Sequence, residues 1–186
     1  MRIISGIRKG KKIVAPADLP VRPTTDYAKE SLFNVLNNFF YFDGIEVLDL
    51  FAGTGNISYE FAAREAISVL AVDSSQECIN FIAKTAESLS FDQIKTVRAD
   101  VWKFLQTHSG KYNVIFADPP FDQDFDFLPD LIFEKDLLHP DGFFVMEHGP
   151  RKDFSKHPNF YQMRNYGKVH FSFFIGVNEE SDQVTE

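Results

Sequence analysis

Cysteine is nearly missing from this chain: Cys78 is the only one in 186 residues. No intramolecular disulfide can form, which fits a reducing cytoplasm. Cys78 falls in a helix-like run and reads as a small packed hydrophobe, not a nucleophile. No apolar run approaches the roughly 18 residues of a membrane span, so no membrane partner is expected. The start, Met1-Arg2-Ile3-Ile4-Ser5-Gly6, lacks the apolar core of a signal peptide, and no leader is expected. The five histidines are scattered, none clusters with cysteine at zinc spacing, and no metal site is expected. Internal repeats are missing too. Phenylalanine, by contrast, is abundant at 21 residues, most of them expected in the core.

Positive charge is scarce overall, since the formal net charge is −8. It is concentrated, however. Residues 1–12 carry Arg2, Arg8, Lys9, Lys11 and Lys12 and no acid, whereas 178–186 carry four acids and no base. A basic arm on an acidic body can grip phosphates locally while the body stays soluble. The polar tail at 178–186 is expected to be disordered.

The length suits one domain, 1–177. Within it, 1–40 reads as an N-terminal extension and 45–177 as the core. Ile3-Ile4 and Ile13-Val14 flank a Gly/Lys-rich stretch and suggest a small hairpin. Thr24 or Thr25 can cap a helix over about 26–38, with Ala28, Leu32, Val35, Leu36 and Phe39 at core spacing. From Glu46 the pattern alternates: strand 46–51, helix 56–65, strand 67–72, helix 75–89, strand 94–98, helix 101–107, strand 112–117. A helix over 125–138, a strand over 143–147 and a hairpin around Gly167 follow. Such alternation implies an α/β fold, a parallel sheet with helices on both faces.

Two motifs carry chemistry. Tyr112 to Ala117 reads as a buried strand that ends in Asp118-Pro119-Pro120-Phe121. The prolines fix the backbone and remove N–H donors, which leaves the Asp118 carboxylate and nearby carbonyls as acceptors beside a flat ring. That cup suits a planar group with an exocyclic amine. Alone, it would be read as a strand end with a proline turn. Upstream, Asp49-Leu50-Phe51-Ala52-Gly53-Thr54-Gly55 runs from a strand into a glycine turn where a ligand can approach the backbone. The dinucleotide fingerprint wants a third glycine where Ser58 stands. Asp49 would repel a pyrophosphate and attract a sulfonium or ammonium group. S-adenosylmethionine carries both.

The next two strands end in Asp73, placed for ribose hydroxyls, and Asp100, placed for the adenine amine. Each acid alone is an ordinary helix cap. Four consecutive strand ends that each carry an aspartate are harder to dismiss, because ligands of open α/β sheets bind there.

Together with Arg2-Ile3-Ile4-Ser5-Gly6, Lys9-Gly10-Lys11-Lys12-Ile13, Arg22-Pro23-Thr24-Thr25-Asp26 and Glu30-Ser31-Leu32-Phe33-Asn34, these motifs make the chain similar to the RsmD family. That family comprises bacterial methyltransferases of the guanine N2 amine in small-subunit rRNA. The likeness covers nearly the whole chain except the acidic tail. It implies a Rossmann-like, seven-stranded class I S-adenosylmethionine-dependent methyltransferase fold with an N-terminal β-hairpin and helix extension. It implies cofactor contacts from Asp49, Phe51, Gly53, Thr54, Gly55, Asp73, Ser74, Asp100 and Val101. Catalysis would fall to Asp118, Pro119, Pro120 and Phe121. RNA contacts would come from Arg8, Lys9, Lys11, Lys12, Arg22, Thr24 and Thr25. The substrate would be small-subunit rRNA, naked or in a partly assembled subunit, and the enzyme a monomer. One departure is visible: the family follows the glycine turn with small and apolar residues, and here Asn56-Ile57-Ser58-Tyr59 stands.

Three alternatives remain at this stage. The cup also suits an amino-group methyltransferase of DNA adenine or protein glutamine. The sheet would suit a nicotinamide-binding oxidoreductase, and the arm a non-catalytic RNA-binding module.

Overall fold

Apolar runs separated by helical segments cannot pair with their immediate neighbours in antiparallel fashion; each must cross over and pair in parallel. The computed structural model, which describes residues 1–17, 19 and 24–176, has this arrangement. After α1 (Asp26–Leu36) come β1 (Glu46–Leu50), α2 (Asn56–Ala63), β2 (Ser68–Asp73), α3 (Gln76–Leu89) and β3 (Ile94–Arg98). Then come α4 (Val101–Thr107), β4 (Tyr112–Ala117), α5 (Leu128–Glu134), β5 (Leu138–His148), β6 (Phe160–Tyr166) and β7 (Val169–Ile175). The sheet order is β3-β2-β1-β4-β5-β7-β6. Strands β1 to β5 pair in parallel, and β7 pairs antiparallel to both β5 and β6.

Side chains alternate across a strand, so each strand divides its residues between two faces. Val47, Val69, Ala71, Val114, Phe116, Phe143, Val145, Phe171 and Phe173 pack on one face against α1, α2 and α3. Leu48, Leu50, Val72, Ile115, Ala117, Phe144 and Met146 pack on the other against α4 and α5. Extended forward by two residues, the first set runs Val47–Asp49, Ala71–Asp73, Phe116–Asp118 and Val145–Glu147. Register therefore places four carboxylates on one face at the carboxyl edge of the sheet.

The N-terminal extension is part of the first core: Ile3 and Ile13 are buried in it. The expected hairpin reduces to one antiparallel bridge, Arg2 with Lys12, around a turn-rich loop. Gly6 explains how close the arm lies. It has φ +70°, and a Cβ there would sit 1.8 Å from the Ala63 carbonyl oxygen. The adjacent Ile7 N–H donates to that oxygen at 2.7 Å.

Two boundaries differ from expectation. Helix α1 ends at Leu36, so Phe39, expected in its core stripe, is 42% exposed and rests against Phe143 and Tyr161 beyond the helix. The helix expected over 125–138 is only α5, because Asp136 turns the chain at φ +52° and Leu138 already pairs with Tyr112. β5 thus begins at Leu138, not at 143. The acidic tail and Arg22 lie outside the described residues.

Candidate active site

Helix α2 is buried along its whole length, although Asn56, Ser58 and Glu60 are polar. Buried polar groups need partners, and each of these three has one that ties the helix to its surroundings. The Ser58 hydroxyl donates to Asp49 Oδ2 at 2.5 Å. Asn56 accepts from Lys29 Nζ at 2.8 Å and donates to the Thr24 carbonyl at 2.8 Å. Glu60 accepts from the Ile4 and Ser5 amides at 2.9 and 3.0 Å and pairs with Lys29 at 3.3 Å and Arg64 at 3.1 Å. Lys29 and Glu60 are 1% and 0% exposed. Burial pulls the Lys29 ammonium below its usual pKa, and Glu60 opposes that pull. The residues that depart from the family pattern after the glycine turn, Asn56 and Ser58, are thus the ones that carry these contacts.

The glycine turn is held open by backbone geometry. Phe51, Gly53 and Gly55 have φ of 59°, 53° and 78°. At Gly55 a Cβ would meet the Tyr59 ring and Ile82 at 2.8–2.9 Å. Phe51 is not glycine, so its left-handed backbone is strained, a feature that concentrates at ligand sites. Its ring packs edge-on against Phe125 at 4.8 Å. Asp73 fastens the turn: Gly53 N–H donates to its Oδ2 at 2.8 Å, and Ser75 N–H to its Oδ1 at 2.8 Å. Thr54 is buried and Ser74 exposed. Asp100 is exposed and caps α4 through Lys103 N–H at 3.0 Å, with Val101 buried behind it.

On the other half of the edge, Asp118 and Glu147 end neighbouring strands. Burial pushes the Asp118 carboxyl well above its usual pKa, and the Glu147 and Asp49 charges add to this. Among the described residues no hydrogen bond reaches the Asp118 carboxylate. Glu147 is raised to about 7 by burial, opposed by a hydrogen bond from the Thr24 hydroxyl at 3.0 Å. Asp49 is raised to about 7 by burial, opposed by Ser58. Beside the pair lies a cavity of about 220 Å³ whose lining includes Pro119, Phe121, Gln123, Glu147, Gly149 and Arg151. Phe121 is 52% exposed, and its ring stands over Gly149.

Of the proposed RNA contacts, Lys9, Lys11 and Lys12 are exposed on the arm. Arg8 is exposed but donates through Nε to the Leu89 carbonyl at 3.2 Å, so it also pins the arm to α3. Thr25 caps α1 through Ala28 N–H at 3.2 Å, while Thr24 faces Glu147. Sequence reasoning missed Glu147, Lys29 and Glu60. Glu147 had a signal: it ends the apolar run Phe143-Phe144-Val145-Met146, a fifth strand end with an acid. Lys29 and Glu60 looked like solvated helix charges.

The strand order with its antiparallel seventh strand, joined to this acid-lined edge and glycine turn, defines the class of S-adenosylmethionine-dependent methyltransferases. The solved structure of "Putative methyltransferase yhhF" from Escherichia coli superposes with a TM-score of 0.81 at 24% identity, covering 94% of this chain and 97% of that one. An RNA methyltransferase from Salinibacter ruber, solved in complex with S-adenosyl-L-homocysteine, gives 0.64 at 14% identity over 87% and 100% of the two chains. More narrowly, residues 1–175 match the model of the family described as "Conserved hypothetical protein 95", and the chain belongs to this family, the RsmD family. It is 37% identical over 153 residues to "Putative rRNA methyltransferase YlbH" of Bacillus subtilis (strain 168), covering 80% of this chain and 82% of that protein. It is 31% identical over 121 residues to "Ribosomal RNA small subunit methyltransferase D" of Escherichia coli (strain K12), covering 65% of this chain and 60% of that protein. The nicotinamide oxidoreductase alternative falls with the family match.

Proposed function

We propose that this chain transfers the methyl group of S-adenosylmethionine to the exocyclic N2 amine of a guanine in small-subunit rRNA, in the cytoplasm, on naked RNA or a partly assembled subunit. The observation that carries this reading is Asp118: a strand-end carboxylate without a hydrogen-bond donor among the described residues, next to the Pro119 carbonyl and a cavity rimmed by Phe121.

The residues present fit the cofactor. Asp49 is a buried acceptor for a cationic ligand, the glycine turn offers open backbone, and Asp73 retains lone pairs for ribose hydroxyls. When bound, the cofactor supplies an electrophilic methyl on a sulfonium, which leaves as a neutral thioether. Everything else falls to the chain. A base must leave its stack to reach this edge, and Phe121 gives it a face to stack on. Asp118 and the Pro119 carbonyl accept the amine hydrogens and hold the nitrogen lone pair out of conjugation. As the N–C bond forms, positive charge grows on nitrogen, and the Asp118 carboxylate faces it, takes up the surplus N–H proton and passes it to solvent. Such preorganised acceptors and positioning supply the acceleration.

Mass-spectrometric mapping of small-subunit rRNA from cells lacking this chain tests the reading. One guanine should lose an N2-methyl group, and purified protein with the cofactor should restore it. A methyl lost instead from DNA adenine or a protein glutamine would move the assignment to those substrates.

A further inference from the structure

Two acids end neighbouring strands here where one would serve to hold an amine. β4 and β5 pair with Ala117 opposite Met146, so Asp118 and Glu147 follow at the same level. Alternation turns both toward the face of Phe116 and Val145. Glu147 is 4% exposed and lines the cavity beside Pro119 and Phe121. The Thr24 hydroxyl donates to its Oε2 and so orients the carboxylate. Among the described residues no hydrogen bond reaches Oε1. Oε1 is therefore open to a donor that enters the cavity.

The chemistry of bases says what that donor is. A base read on its Watson–Crick edge shows a fixed pattern of donors and acceptors. Guanine shows two adjacent donors, the N2 amine and N1–H. Adenine and cytosine each show one amine next to a ring nitrogen that only accepts. A carboxylate only accepts when ionised, so two in a row match guanine and leave a lone pair against a lone pair with the others. We propose that Glu147 is a specificity-determining residue that accepts the N1–H of the target guanine while Asp118 holds the N2 amine. This rests on the guanine-N2 reading above and adds a residue to it. The Thr24 contact makes the N-terminal segment part of base selection, because Thr24 is in turn held by Asn56.

2-Aminopurine separates the two roles, since it keeps the 2-amine but its N1 only accepts. The probe is a small-subunit particle reconstituted with ligated rRNA that carries guanine or 2-aminopurine at the mapped position. The parent protein should prefer guanine in kcat/KM by about 10- to 150-fold, the equivalent of about 1.5–3 kcal/mol for a hydrogen bond to a charged group. Glu147→Gln can donate its amide hydrogens to an accepting N1, so its preference should shrink to a few-fold, with cofactor affinity by calorimetry unchanged. A Glu147→Gln protein that loses the same factor on both bases overturns the inference and leaves the methyltransferase reading standing. Should that variant not fold, Thr24→Val removes only the orienting donor. It should then lower the guanine rate several-fold more than the 2-aminopurine rate, and an equal loss overturns the inference. If the parent protein puts no methyl on guanine N2, the proposed function itself fails, and the selectivity of Glu147 with it.

Discussion

The carboxyl edge of the sheet has two halves that treat their acids differently. In the β1–β3 half every acid is tied to a local donor: Asp49 to Ser58, Asp73 to the Gly53 and Ser75 amides, Asp100 to the Lys103 amide. In the β4–β5 half Asp118 has no donor among the described residues, and Glu147 has only Thr24, from 123 residues away in sequence. Local donors fix a carboxylate's position and stabilise its charge. An acid without them is held in place only by the sheet, keeps its lone pairs, and carries an electrostatic cost until a ligand arrives. On the proposed function, the first half holds the cofactor in one geometry and the second meets a donor that comes from outside.

Removal of Asp118 should have the largest effect. Asp118→Ala should cut turnover by at least about a hundredfold, the scale of one preorganised transition-state contact. Cofactor affinity should stay nearly intact and thermal stability should not fall, because a half-buried carboxyl repelled by its neighbours is gone. A lower melting temperature would mean that Asp118 has a structural partner and would break the contrast between the halves.

Next comes Asp73, where the opposite pattern is expected. Asp73→Ala should weaken cofactor binding by roughly 1.5–3 kcal/mol in calorimetry, the range for hydrogen bonds to charged groups. It should also lower the melting temperature, since the Gly53 and Ser75 amides lose their acceptor. Intact affinity would remove Asp73 from the cofactor site.

The pH dependence of stability sharpens the contrast, because Asp49 straddles it: it has a local donor, yet burial still raises it to about 7, as it does Glu147. A raised acid binds more protons folded than unfolded, so its contribution is fully present below the unfolded pKa near 4 and is lost as pH rises toward 7. Stability of the cofactor-free protein should therefore decline from about pH 4.5 to 7 on account of these groups. Asp49→Asn and Glu147→Gln should each flatten that decline in urea titrations. Saturating cofactor should flatten it as well if Asp49 meets a cation. Slopes unchanged from the parent's in both variants would put its origin elsewhere.

The smallest effect is expected on the arm. Among the described residues the side chains of Lys9, Lys11 and Lys12 make no hydrogen bond or ion pair, unlike that of Arg8, so the triple alanine variant tests phosphate contact alone. Each lost contact should reduce the slope of log K against log salt by about 0.7–0.9, with cofactor binding unchanged. An unaltered slope would leave the arm as an ordinary solvated surface.

Much of this was legible in the chain. Period-two and helical patterns alternate from Glu46 to Ala117, and the elements fall within a residue or two of where local pattern puts them. Asp49, Asp73, Asp100 and Asp118 announce themselves as acids directly after apolar runs. These signals are local, and a few consecutive side chains suffice to state them. Two boundaries, at Phe39 and over 125–138, failed because helical spacing continued past a chain reversal that the sequence did not mark.

What only the tertiary structure decided is which acids become neighbours and which are deprived of water. Parallel strands pair across long crossovers, so nothing near Asp118 in sequence indicates that β5 lies beside it and brings Glu147. The network from the arm through Glu60, Lys29, Asn56 and Thr24 to Glu147 joins residues from four separate segments. Lys29 and Glu60 look in sequence like any charges on helix surfaces. Their burial comes from the arm folding over α2, and the cost of burying a charge is set by everything that surrounds it.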